Sequence, residues 1–188
     1  MFDACKRKKQ PQLVRAQLLE ATAQIVAERG PGGLTLDRVA RRAGVSKGGL
    51  IHHFPSKQAL IEGLFAAIVQ SFENTLAALI AQDDDPRGRF TRAYVAAVLA
   101  PCAGTIECRL MDACALALTG DPALHGAWQT WMRDQMARHG EDPDNVLGCI
   151  LRYAADGIWL EARTHPVGFP LKDRRAVVER LVSLSYTM

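Results

Sequence analysis

The sequence has no uninterrupted apolar run approaching the ~20 residues that a membrane-spanning helix requires. Its first residues carry Asp3, Lys6, Arg7, Lys8 and Lys9 where an export signal would carry an apolar stretch. The cytosol is therefore the expected compartment, and no membrane partner is expected. Cysteine is scarce and odd in number, at positions 5, 102, 108, 114 and 149, with no CxxC pair and no histidine at zinc-ligand spacing from a cysteine. That excludes a disulfide framework and gives no reason to expect a metal. The period-two alternation of strands is missing, as is any internal repeat, which excludes sandwiches, barrels and solenoids. Phosphate loops and nucleophile motifs are missing too, so no catalytic residue, no cofactor and no enzyme activity is expected. His52 and His53 are consecutive, and on a helix they diverge by about 100° and cannot chelate together.

What the 188 residues do contain is helical periodicity almost throughout, in a chain 48% hydrophobic and 23% charged. Val14, Leu18, Ala21 and Ile25 mark one face of a first helix, ended by Gly30-Pro31-Gly32-Gly33. Thr35 is placed to cap a second helix, with Leu36, Val39, Ala40 and Ala43 on its inner face. Gly44 breaks it and Ser46 is placed to cap a short third. Pro55 closes the third, and Ser56 caps a long fourth bearing Ile61, Phe65, Ile68 and Phe72. Further helices are predicted from Pro86 to about Ala100, from Ile106 to Leu118, from Asp121-Pro122 to near Gly140, from Asp142-Pro143 to Thr164, and from Lys172 to Tyr186. The expected class is all-α, with about nine helices.

Charge is unevenly spread along this series. Residues 1–57 hold eleven Lys or Arg against four Asp or Glu, a net of +7; the remainder hold twelve against sixteen, a net of −4. A basic first third is what a chain needs where one end meets a polyanion.

Within that basic third, the segment from Thr35 to Phe54 has the parts of a helix-turn-helix. It supplies a supporting helix, a turn at Gly44, an apolar corner plug at Val45, and a second helix with Leu50 and Phe54 inward. The opposite face presents Gly48 and His52, flanked by Lys47, Gly49 and Ile51. Two adjacent glycines weaken the helix yet let its backbone come close to DNA, a local inconsistency of the kind found at functional surfaces. Arg38 and Arg42 lie off the apolar face as candidate backbone contacts. The run from Lys6 to Lys9 is either a DNA-contacting arm or a solubilising tail.

The strings Leu34-Thr35, Val39-Ala40, Ala43-Gly44-Val45-Ser46-Lys47-Gly48 and His53-Phe54-Pro55-Ser56-Lys57 resemble the N-terminal domain of the tetracycline-repressor (TetR) family, over about Leu18 to Leu64. The resemblance implies that Thr35 holds a phosphate at a helix start, that Lys47, Gly48 and Gly49 read bases, and that His53 and Lys57 touch phosphates. The family normally has Tyr where this chain has Ile51, which either touches a thymine methyl or packs. Residues 1–57 would then be the DNA-binding domain with its basic arm, and residues 58–188 a helical domain for effector binding and dimerisation. The implied function is a ligand-responsive regulator, most simply a repressor that binds a palindromic operator in double-stranded DNA as a homodimer and is released by a small molecule.

For the body, the resemblance implies a cavity. Its candidate lining is Phe65, Phe72, Met111, Cys114, Trp128, Trp131, Met132, Tyr153 and Trp159, though aromatic and Met residues at helical spacing are also ordinary core. Asp112 and Asp156 sit among apolar neighbours, where they would either orient a polar or cationic ligand or pair with Arg109 or Arg152. The helix from Asp142 to Thr164 is apolar on two sides, Ile150, Tyr153 and Leu160 on one and Leu147, Leu151, Ala154 and Ile158 on the other. Such a helix needs two partners. With Val177, Val178, Leu181, Val182 and Leu184 it is expected to form a four-helix interface with a symmetry mate. A competing reading makes Cys102, Cys108 and Cys114 a redox or metal switch, although a spacing of six puts them on different helix faces.

Overall fold

The computed structural model describes residues 11–100, 121–164 and 174–188. Among these there is no strand, and eight α-helices are present: α1 (Pro11–Arg29), α2 (Leu36–Ala43), α3 (Lys47–His53), α4 (Lys57–Ile80), α5 (Arg89–Leu99), α6 (Pro122–Arg138), α7 (Val146–Thr164) and α8 (Arg174–Ser185). The class is all-α, as the periodicity predicts. The further helix expected between Ile106 and Leu118 lies outside the described residues, as do Lys6 to Lys9, Cys102, Cys108, Arg109, Met111, Asp112 and Cys114.

The described residues form two compact units, one of residues 11–66 and one of residues 67–100, 121–164 and 174–188. In the first, Leu18, Ile25 and Val26 of α1 bury against Leu34, Val39, Leu50, Phe54, Leu60 and Leu64. Gly63 makes room for this core. A Cβ there would lie 2.6 Å from Cε1 of Phe54, so the ring could not take its place between the helices.

In the second unit α5 is the spine, packed against α7 and α8 with Phe90, Ala93, Tyr94, Val95 and Leu99 buried. Its Thr91 and Arg92 are buried as well, and both have hydrogen-bond partners. Glu141 accepts from the amide of Thr91 (3.0 Å) and from its hydroxyl (2.6 Å), while the same hydroxyl accepts from Arg152 Nη1 (2.9 Å). Arg92 donates to Asp83 Oδ2 (2.6 Å) and to the carbonyls of Arg87 and Asp85 (2.7 Å each), and Tyr186 lies on its guanidinium at 4.1 Å. The guanidinium holds the Asp83 carboxyl below the usual range. Charge-assisted bonds inside a protein are strong only when every member has a partner, and here each does.

Two sequence expectations are corrected. The helix predicted to begin at Asp142-Pro143 begins at Val146, because Asp142 closes a tight turn by accepting the amide of Asp144 (2.9 Å). Asn145 is the residue that caps, accepting from Gly148 N (2.9 Å). The second concerns membrane-length runs: α4 is long and apolar enough to cross a bilayer. Its Leu60, Leu64, Ile68, Phe72 and Leu76 are instead buried against protein, and Glu62, Glu73 and Asn74 interrupt its surface. By contrast Asp121 caps α6 as expected, accepting from Ala123 N (2.9 Å) with Pro122 in the first turn.

The cluster around Thr91 yields a prediction. Glu141→Gln removes the negative charge beside the buried Arg152 guanidinium, 3.9 Å away, and should destabilise the fold by about 3 kcal/mol or more. Chemical denaturation measures this, and a loss below about 1 kcal/mol would mean that Thr91 alone satisfies Arg152.

Candidate nucleic-acid interface and the groove of the helical body

The first unit builds its exposed surface from two capped helices and one turn. Thr35 is extended (φ −136°, ψ 150°), and its hydroxyl accepts from the amide of Arg38 at 3.3 Å. At the other end of α2, Gly44 adopts φ 65°, ψ 26°, a left-handed conformation costly for any residue with a Cβ. Two residues later the Ser46 hydroxyl accepts from the amide of Gly49 (3.1 Å) and starts α3. Leu50 and Phe54 then point inward and are buried, and Arg15 lies over the Phe54 ring at 5.2 Å.

What α3 leaves outside is a nearly bare face. Lys47, Gly48, Ile51 and His52 are exposed, Gly49 and His53 partly so, and Lys57 stands exposed at the start of α4. Ile51 is 43% exposed. A Cβ on Gly48 would meet nothing within 4 Å, so its backbone is approachable from outside; one on Gly49 would touch Val45 and Ser46 at 3.1 and 3.2 Å.

Three of the cations around this face are already engaged, a feature not read from the sequence. Lys47 Nζ lies 3.0 Å from Asp37 Oδ1. Arg42 grips Glu28 with both guanidinium nitrogens, at 2.5 and 2.8 Å, and holds that carboxyl below its ordinary range. Arg38 donates to the carbonyl of Gly33. Arg38 and Arg42, the candidate DNA-backbone contacts, tie α2 to the preceding turn and to α1. Spacing along the sequence gives no signal for the Glu28–Arg42 pair, which joins residues fourteen apart. Exposed pairs of this kind contribute little to stability and exchange readily for another anion.

The second unit gathers most of the described aromatics. Phe72 meets Tyr94 edge-on (5.7 Å) and lies 6.0 and 5.8 Å from Trp128 and Trp131, which stack on each other at 4.7 Å. Glu73 accepts from Trp131 Nε1 (2.7 Å) and Gln135 Nε2 (2.9 Å). Asp156, one of the two predicted interior carboxylates, accepts from the Tyr94 hydroxyl at 2.5 Å and makes no ion pair with Arg152, which turns to Thr91 and Glu141. Burial raises the Asp156 carboxyl above the ordinary range and pushes the Tyr94 hydroxyl well above its own. Trp128, Met132, Tyr153 and Asp156 line an open groove of about 340 Å³ on α6 and α7. Phe72 and Trp131 belong to the aromatic stack behind it. Trp159 is half-buried on α7, and Phe65 is half-buried on the part of α4 in the first unit, so neither lines the groove. Among the described residues no group of His, Cys, Asp and Glu is arranged to hold a metal.

Comparison with known proteins adds an independent line. Residues 18–64 match the bacterial regulatory proteins of the tetR family, and residues 88–186, just over half of the chain, match the tetracyclin repressor-like C-terminal domain. Over 84 residues the chain is 39% identical to the HTH-type transcriptional regulator BetI of Burkholderia cenocepacia, and equally to that of Burkholderia thailandensis. Those alignments cover 44% of this chain and 43% of each relative, so the chain spans under half the length of the relatives it matches. Similar folds include a transcriptional regulator of Rhodococcus sp. Rha1, with TM-score 0.65 and 23% identity over 92% of this chain and 96% of that one. They also include SmeT in complex with triclosan, with TM-score 0.69 and 17% identity over 94% and 91% of the two chains. A third is the multidrug binding protein EbrR complexed with malachite green, with TM-score 0.60 and 25% identity over 89% and 96%.

Proposed function

The chain belongs to the tetR family of bacterial transcriptional regulators, and from that premise we propose that it is a cytosolic, ligand-responsive repressor. It binds a palindromic operator as a homodimer and leaves it when a small molecule occupies the helical body. The observation that carries this reading is the capped α3, started by Ser46 after the left-handed Gly44, with Lys47, Gly48, Ile51 and His52 on its outer face. A helix held inward by two apolar anchors and bare outward is what the major groove admits. In this reading Thr35, His53 and Lys57 hold phosphates, Lys47 reaches a guanine edge, and Ile51 meets a thymine methyl. Gly48 and Gly49 let the helix backbone come close.

Support for the dimer comes from α7. Leu151 and Ala155 are buried, yet Val146, Ile150, Tyr153 and Leu160 on another side are 73, 56, 75 and 43% exposed. An apolar stripe of that length is uncommon on a monomer surface and suits self-association through α7 and α8 about a two-fold axis. Support for an effector comes from the groove, and from the complexes of EbrR with malachite green and SmeT with triclosan. Release requires that the effector bind one conformation of the dimer more tightly than the other.

Three outcomes test the reading, with an operator first obtained by selection from a random-sequence duplex pool. Lys47→Ala should weaken binding to the selected duplex by about 1–3 kcal/mol and relax base preference at one position of each half-site. Undiminished, equally selective binding would remove Lys47 from the readout. Gly48→Ala should stabilise the fold by about 0.5–1 kcal/mol, since its Cβ meets open space and alanine favours a helix, while operator affinity falls. A variant both more stable and equally tight would show that α3 does not approach DNA there. Ile150→Glu should turn a dimer into a monomer in sedimentation at micromolar concentration; a monomeric parent chain would refute the α7 interface outright.

A further inference from the structure

The groove on α6 and α7 holds a carboxylate that makes no ion pair with any described residue. Arg152, one of its lining residues, is buried and occupied, with Nη1 on the Thr91 hydroxyl and Glu141 3.9 Å away. On the exposed part of the lining, Arg133 and Asp144 offer one charge of each sign, and His125 is engaged by Gln129 at 3.0 Å. That leaves Asp156. It faces the groove half-buried and uses Oδ1 to accept from Tyr94, and among the described residues no Lys, Arg or His nitrogen lies within 4.0 Å of it. Its nearest cation, Arg152, acts on it only from beyond ion-pair distance and is already engaged by Glu141, so burial still raises the carboxyl and keeps its ionised form costly. Beside it stand the Trp128 indole and Met132, surfaces that attract both apolar bodies and cations.

We propose that this groove binds an organic cation with a flat apolar body. The cationic nitrogen meets Oδ2 of Asp156, and the body lies along Trp128 and Met132. The assignment rests on the reading that the helical body is the effector domain, and it narrows the effector to one chemical class. A volume of about 340 Å³ is at the lower end of small-molecule sites and suits a ring system of one or two rings with its substituent. A neutral molecule of the same shape gains the stacking but leaves the carboxylate uncompensated. An anion adds repulsion to that.

Three probes with one aromatic body separate these cases: (naphthalen-1-ylmethyl)trimethylammonium, 1-naphthalenemethanol and 1-naphthylacetate, measured by calorimetry on the full chain and on Asp156→Asn. Asparagine keeps an acceptor for Tyr94 and removes the charge; a thermal melt matching the parent establishes that the fold is intact. The cation should bind about tenfold or more tighter than the alcohol, a gap of about 1.4 kcal/mol, with the acetate weakest. Asp156→Asn should erase the gap between cation and alcohol while leaving the alcohol's affinity unchanged. Equal binding of all three, preference for the acetate, no binding at millimolar concentration, or a cation preference that survives Asp156→Asn would each overturn the proposal. The effector reading has its own readout. If the cation binds through Asp156 and the selected duplex stays bound, the groove assignment stands and the effector role falls.

Discussion

Gly44, at φ 65° and ψ 26°, ends α2, and the amide of Val45 donates to the carbonyl of Ala40 at 3.0 Å to close the turn. With a side chain at Gly44 the left-handed turn would cost of order 1 kcal/mol or more, and relief would come only by changing the angle at which α3 leaves α2. From that angle follow the inward placement of Leu50 and Phe54 and the outward placement of Lys47, Gly48, Ile51 and His52. Gly63 completes the arrangement on α4, since Phe54 can be a core residue only where no Cβ competes with its ring. The recognition surface thus depends on backbone and packing terms more than on the charged side chains that decorate it.

Those charges are held in reserve. Lys47 sits on Asp37 and Arg42 on Glu28, pairs that water and salt already weaken. An incoming phosphate would compete with a carboxylate for the same nitrogen, so the eleven Lys and Arg of residues 1–57 are not all free to attract it, and the net of +7 is the fairer measure. The helix face itself adds few hydrogen-bond donors, Gly48 and Ile51 adding none from their side chains.

Much of the first unit was legible because its determinants are local. Caps at Thr35, Ser46 and Ser56 act over three residues, Gly44 over one, and the apolar faces repeat every three or four. Asp142 shows how little separates two local outcomes: the same side chain that could cap a helix instead closed a turn, and Asn145 took the cap. The body was legible only as helices. Its decisive contacts join Thr91 to Glu141 fifty positions away, Tyr94 to Asp156 sixty-two away and Glu73 to Trp131 fifty-eight away. Periodicity carries no information about which helices meet, so Arg152 was a reasonable partner for Asp156 on one helix until Glu141 and Tyr94 divided them. The apolar double face of α7 was visible in the pattern, while which side would be covered was not.

The empty space over Gly48 has a meaning beyond the present contacts. A glycine codon is one base change from codons for alanine, valine, serine, cysteine, arginine, aspartate or glutamate. At most helix positions such changes are filtered by packing before they are ever tested on DNA. Gly48 imposes little of that filter, because a Cβ added there meets nothing within 4 Å and helix propensity improves for most residues over glycine. It is therefore a position where a duplicated copy of the gene could acquire a new sequence preference in a single step without first losing its fold.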